Sequence, residues 1–182
     1  MANPEQLEYL QDSADDWNVY RREHAITRPD LSEANLSAAE LPGADLRGAD
    51  LAGADLRAID LTNANLANAD LTEANLSGAF LLNVVLSGAN LTGADLTGAN
   101  LTEVNAVNAI LTNATLSGAM LGRANLTNAD LTNAILHQAD LGGANLTSAT
   151  LLQADLTEAN LADVNLSRAD LTGVIGLNLS GR

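Results

Sequence analysis

Leucine returns at every fifth position from Leu31 to Leu171, filling 28 of 29 such positions, with Ala106 the one departure. The position two before each leucine is nearly as uniform. From residue 34 to 169 it is alanine, except at Ile59, Val84, Val104 and Val164. The three remaining positions of each repeat are mostly small or polar. A helix cannot use this period: at roughly 100° per residue, five residues overshoot a full turn by about 140°, and the leucines scatter round the cylinder. A straight strand fails as well, because side chains alternate and Leu46 and Leu51 would face opposite sides. Within one repeat, however, Ala44 and Leu46 share a side. Every such pair stays inside only if the backbone turns a corner once per repeat. The pattern therefore predicts an all-β solenoid of short sides joined by turns.

The stretch "ADLRGADLAGADLRAIDLTNANL" resembles the pentapeptide repeat family, A-(D/N)-L-X-X, and the likeness extends over residues 30–175. The resemblance implies a right-handed quadrilateral β-helix with four repeats per coil, hence about seven coils. At the usual spacing of ~4.8 Å between strands the rod is on the order of 35 Å long. Stacked leucines form the core, each contributing roughly 1.5–3 kcal/mol when buried. Ala106 removes bulk from this ladder while Val104 adds it two positions earlier, which reads as a packing swap.

A solenoid needs its ends covered. Residues 1–29 are expected to form an N-terminal α-helical cap and connector, with one helix over 3–24. Asn3 suits the N-cap, Pro4 the first turn and Gln6 the capping box. Leu7, Leu10, Ala14 and Trp17 give that helix one apolar face against the first coil. The repeat is lost at Gly176, where a leucine was due, so 176–182 reads as a tail. Val174, Ile175, Leu177 and Leu179 either fold over the last coil or leave an apolar end for a homodimer contact. Trp17, Ile175, Leu177 and Leu179 are thus the candidate cap and end-interface residues.

Charge adds a further feature. The chain carries 23 acids against 8 basic residues, a net charge of −15. That balance argues against direct binding to nucleic acid or to an anionic membrane. Yet residues 74–129 hold only Asp95 and Glu103, and there Phe80, Leu82, Val85, Val107, Ile110 and Met120 occupy outward positions. This neutral belt is the candidate patch for an unidentified protein partner. The Asp or Asn before each leucine has a structural use, since such side chains hydrogen-bond nearby turn backbone.

No secretory signal or membrane span is visible, so a cytoplasmic protein is expected. There is no cysteine, and His24 and His137 have no partners that spacing identifies. No catalytic residue, cofactor or metal site is expected, and the chain reads as no enzyme. Two functions compete. One is a scaffold or regulatory rod that binds a protein partner through its surface. The other follows from the resemblance alone: quinolone-resistance members mimic DNA and engage DNA gyrase. The opening helix and "RPDLSEANL" also look similar to small family members of photosynthetic bacteria, which suggests a bacterial setting.

Overall fold

The computed structural model describes residues 1–177. From Asp30 onward, each residue preceding a core position forms a parallel bridge to the residue 20 further on, as in Asp30 with Asp50 and Asp155 with Ile175. Twenty residues are four repeats, so one coil has four sides and the bridged residues stack in four columns. The sides are shorter than strands proper: each is a single bridged residue between two turns, and no longer strand forms among the described residues. Three hydrogen bonds per repeat tie one coil to the next, for example Leu51 N–H to the Asp70 carbonyl at 2.7 Å, Gly53 N–H to the Thr72 carbonyl at 2.8 Å and Asp70 N–H to the Ala49 carbonyl at 2.9 Å. Such bonds satisfy backbone groups that the turns would otherwise leave unpaired.

Each corner is closed locally. The alanine N–H donates to the carbonyl of the leucine three residues earlier, as from Ala54 to Leu51 at 3.0 Å. The residue before that alanine has a positive φ in every repeat from Glu33 to Gly173, which gives a type II-like turn. Glycine and asparagine tolerate that geometry best, and they fill many of these positions, Gly53 and Asn63 among them. The core contains the leucines and alanines the spacing singled out; Leu51, Ala54 and Leu56 are all buried. Val104 and Ala106 are buried too, beside a void of about 10 Å³ lined otherwise by leucines. That space is at most one water's worth and wholly apolar, so it stays dry.

The N-terminal segment departs from the expected single helix. It forms α1 (Pro4–Asp12) and α2 (Ala14–Glu23), broken at Ser13. Ser13 is fully extended and its Oγ accepts from Asp16 N–H at 3.0 Å, so one residue ends α1 and caps α2. Asn3 caps α1, its Oδ1 accepting from Glu5 and Gln6 N–H. Leu10 and Trp17 are fully buried with the first leucines. The first coil has no preceding coil to pair with, and side chains take that place. Asn18 Oδ1 accepts from Asp45 N–H at 2.7 Å, Trp17 Nε1 donates to the Asp45 carbonyl at 2.8 Å, and Gln6 Oε1 accepts from Asp30 N–H at 2.9 Å.

The other end is less covered. Leu166, Ala169, Leu171 and Val174 are half-buried, and Ile175 is 58% exposed. Gly176 has a φ of +72°, and a Cβ there would lie 2.4 Å from the Thr157 backbone. A leucine at this position, as the repeat demands, does not fit. No described helix is long and apolar enough to cross a membrane.

Candidate functional site

The polar columns are built from Asp and Asn side chains that fold back on their own turns. Oδ1 accepts from the N–H two residues on, as from Asp70 to Thr72 at 3.1 Å, and where the acceptor is followed by Thr or Ser the hydroxyl often donates too, as Thr72 Oγ1 does at 2.6 Å. These bonds favour the ionised carboxylate. Thr157 and Thr172 hold Asp155 and Asp170 below the usual carboxylate range through the side-chain hydrogen bond first and the backbone one second.

Against that background the apolar outward residues stand apart. An aliphatic or aromatic side chain at the bridged position offers no acceptor, so the turn that follows loses a bond worth about 0.5–1.5 kcal/mol. Phe80, Val85, Ile110 and Met120 all occupy such positions. Phe80 and Met120 share one column with Asn100 between them, and are 52% and 44% exposed. Leu82 is half-buried at the following corner, and Val85, also half-buried, begins the next side. Ile110, 42% exposed, bridges to Asn90 and Asp130 in the column on the opposite side of the rod. Val107 lies at the corner leading to it. The six belt residues therefore divide: Phe80, Leu82, Val85 and Met120 form a neighbourhood, Val107 borders it at the corner after Asn105, which stacks on Val85, and Ile110 belongs to the opposite side. Ile135, on the side between the Phe80 and Ile110 columns and 43% exposed, was not picked out from the sequence. Its 20-residue register with Thr115 is the signal that locates it.

Of the cap and end residues, Trp17 is buried against the first coil, Ile175 is exposed, and Leu177 is 37% exposed. Leu179 lies outside the described residues. His24 Nδ1 lies 2.9 Å from the Tyr20 carbonyl, and His137 Nε2 lies 3.9 Å from Glu158. Among the described residues no group of histidines and carboxylates is placed to hold a metal ion.

A family model for pentapeptide repeats, in 8 copies, matches residues 30–68, 64–102, 109–147 and 139–175. The chain belongs to the pentapeptide repeat family. The stretch skipped between the matches, 103–108, contains Val104 and Ala106, where both core positions of one corner depart from the motif. Among solved pentapeptide repeat proteins, the chain is similar to HetL, involved in heterocyst differentiation regulation in the cyanobacterium Nostoc sp. strain PCC 7120. The two share 31% identity over 90% of this chain and 97% of HetL, with a TM-score of 0.35. Rfr23 from the cyanobacterium Cyanothece 51142 is 24% identical over 87% of this chain and 96% of its own, with a TM-score of 0.47. QnrB1, a plasmid-mediated fluoroquinolone resistance protein, is 24% identical over 80% of this chain and 76% of its own, with a TM-score of 0.49. No curated protein matches the chain.

Proposed function

We propose that this pentapeptide repeat protein is a non-enzymatic scaffold: a right-handed, four-sided rod that holds a protein partner against the side bearing Phe80 and Met120. A second copy stacks on its C-terminal end. One observation carries the partner reading. Phe80, Val85 and Met120 interrupt a scheme in which the outward Asp or Asn secures its own turn, and they do so close together. Giving up those bonds for exposed apolar surface is costly unless something covers it. A rigid rod with a filled core suits this task, since binding orders little of the backbone.

The DNA-mimic reading has less behind it. The carboxylates that would imitate phosphates are engaged with their own turns, and Phe80, Ile110 and Met120 interrupt the columns.

The test is affinity capture from the native host with charge variants on opposite sides. Phe80→Lys and Met120→Lys lose the captured partner, whereas Ile110→Lys keeps it. Equal loss from all three, or from none, rejects the assignment of this side.

A further inference from the structure

Arginine supplies all eight basic residues of the chain, and three of them, Arg21, Arg22 and Arg47, line one groove between α2, the connector and the first coils. The groove has a volume of about 770 Å³ and also takes in Thr27 and Asn68. It contains a single carboxylate, Asp45, already engaged twice. Arg47 grips it with Nε on Oδ1 and Nη2 on Oδ2, both at 2.7 Å, and Arg21 Nη1 reaches Oδ1 at 3.2 Å. Two guanidiniums thus share one negative charge. Arg22 has neither an ion pair nor a side-chain hydrogen bond within the described residues. The lining is left with two uncompensated positive charges in a protein whose net charge is −15.

Burial lowers the Arg21 pKa from its ordinary value, Asp45 opposes that, and Arg47 lowers it further. Arg21 also donates to the Arg47 carbonyl, which fixes the two arginines relative to each other. At the floor, Gly48 has no side chain, and a Cβ there would meet the Thr27 carbonyl oxygen at 3.1 Å. The Asn68 side chain forms no hydrogen bond within the described residues and so has its amide available.

We infer that this groove binds a phosphate monoester, with the phosphoryl group between Arg22 and Arg47 and the Asn68 amide beside it. A phosphate monoester carries about −1.5 to −2 charges near pH 7, matching the surplus, whereas a carboxylate carries one. Arg22 has its planar guanidinium fork free for a pair of phosphoryl oxygens, whereas Arg47, whose Nε and Nη2 hold Asp45, offers its remaining Nη protons. The acidic coils repel extended polyanions, so a compact dianion is the form that fits.

The experiment uses the full chain at low salt, with arginine Nε–H resonances followed by NMR. Probes are glucose 6-phosphate, inorganic phosphate and acetate. Glucose 6-phosphate is expected to shift Arg22 and Arg47 saturably, at least as tightly as inorganic phosphate and about tenfold more tightly than acetate. Arg22→Gln weakens it by about tenfold, the loss of one charge-assisted contact. Arg22 is exposed and unpaired, so this variant keeps its fold, checked by its thermal transition. Arg123→Gln, remote from the groove, leaves binding unchanged. Equal affinity for acetate, indifference to Arg22→Gln, or equal weakening by Arg123→Gln overturns the assignment.

Discussion

Val104 and Ala106 line one void, so their substitutions should not add. Val104→Ala removes about two buried carbons, worth about 1.6 kcal/mol in transfer, and enlarges the cavity, for a total of roughly 2–3 kcal/mol. Ala106→Leu restores the repeat but must fit a leucine beside Val104 where about 10 Å³ is free. That volume is several-fold too small, and overpacking costs about 1–3 kcal/mol. Together the two changes rebuild the arrangement of the neighbouring repeats, so the double variant should return close to the parent. The coupling is then at least about 3 kcal/mol, at the upper limit for residues in contact. The assay is guanidinium unfolding of all four proteins followed by far-ultraviolet circular dichroism, with equal slopes required. If the double variant loses the sum of the two single losses, the residues do not share the space and the compensation argument fails.

Other expectations follow from the turns, the cap and the open end. Ala58 holds a φ of +52°, so Ala58→Gly should stabilise by about 0.5–1 kcal/mol, read as a rise in the unfolding midpoint; a fall would contradict the turn geometry. Asp45 is held below the usual carboxylate range, first by its side-chain bond to Arg47 and, despite opposing desolvation, by Arg21 as well. A depressed folded value means its contribution is whole above the unfolded carboxylate range and lost as pH falls through the lower folded value. Trp17 emission should therefore shift to the red below about pH 4, before the coils melt. An Asp45→Asn variant with the same acid limb would remove Asp45 as the cause. The proposed end-to-end dimer should appear in light scattering of the parent and be reduced to a monomer by Ile175→Lys; a monomeric parent, or a mass unchanged by the substitution, would refute the end contact.

The five-residue period was enough to place Leu51 and Ala54 inside, because only a chain that turns every quintet can bury both. The break at Ser13 was written in the sequence as Ser-x-x-Asp, a capping pattern. It was overridden by the apolar spacing of Leu10, Ala14 and Trp17, which runs straight through it. The division of the apolar belt was also available: Phe80 and Met120 differ by a whole number of coils, whereas Ile110 is out of step by half a coil. The arginine groove was not legible. Arg22 and Arg47 are 25 residues apart on different kinds of element, and only the packing of α2 on the first coil brings them to one cavity.

The uninterrupted 20-residue register makes the rod an indexed object. Excising four consecutive quintets shortens it by one storey and leaves its upper and lower features aligned as before. Excising a single quintet rotates everything beyond the cut by a quarter circle, so that the Phe80 face would swing to a new compass direction relative to the arginine groove. Length and azimuth are thus set by separate edits, and a lineage can change one while keeping the other.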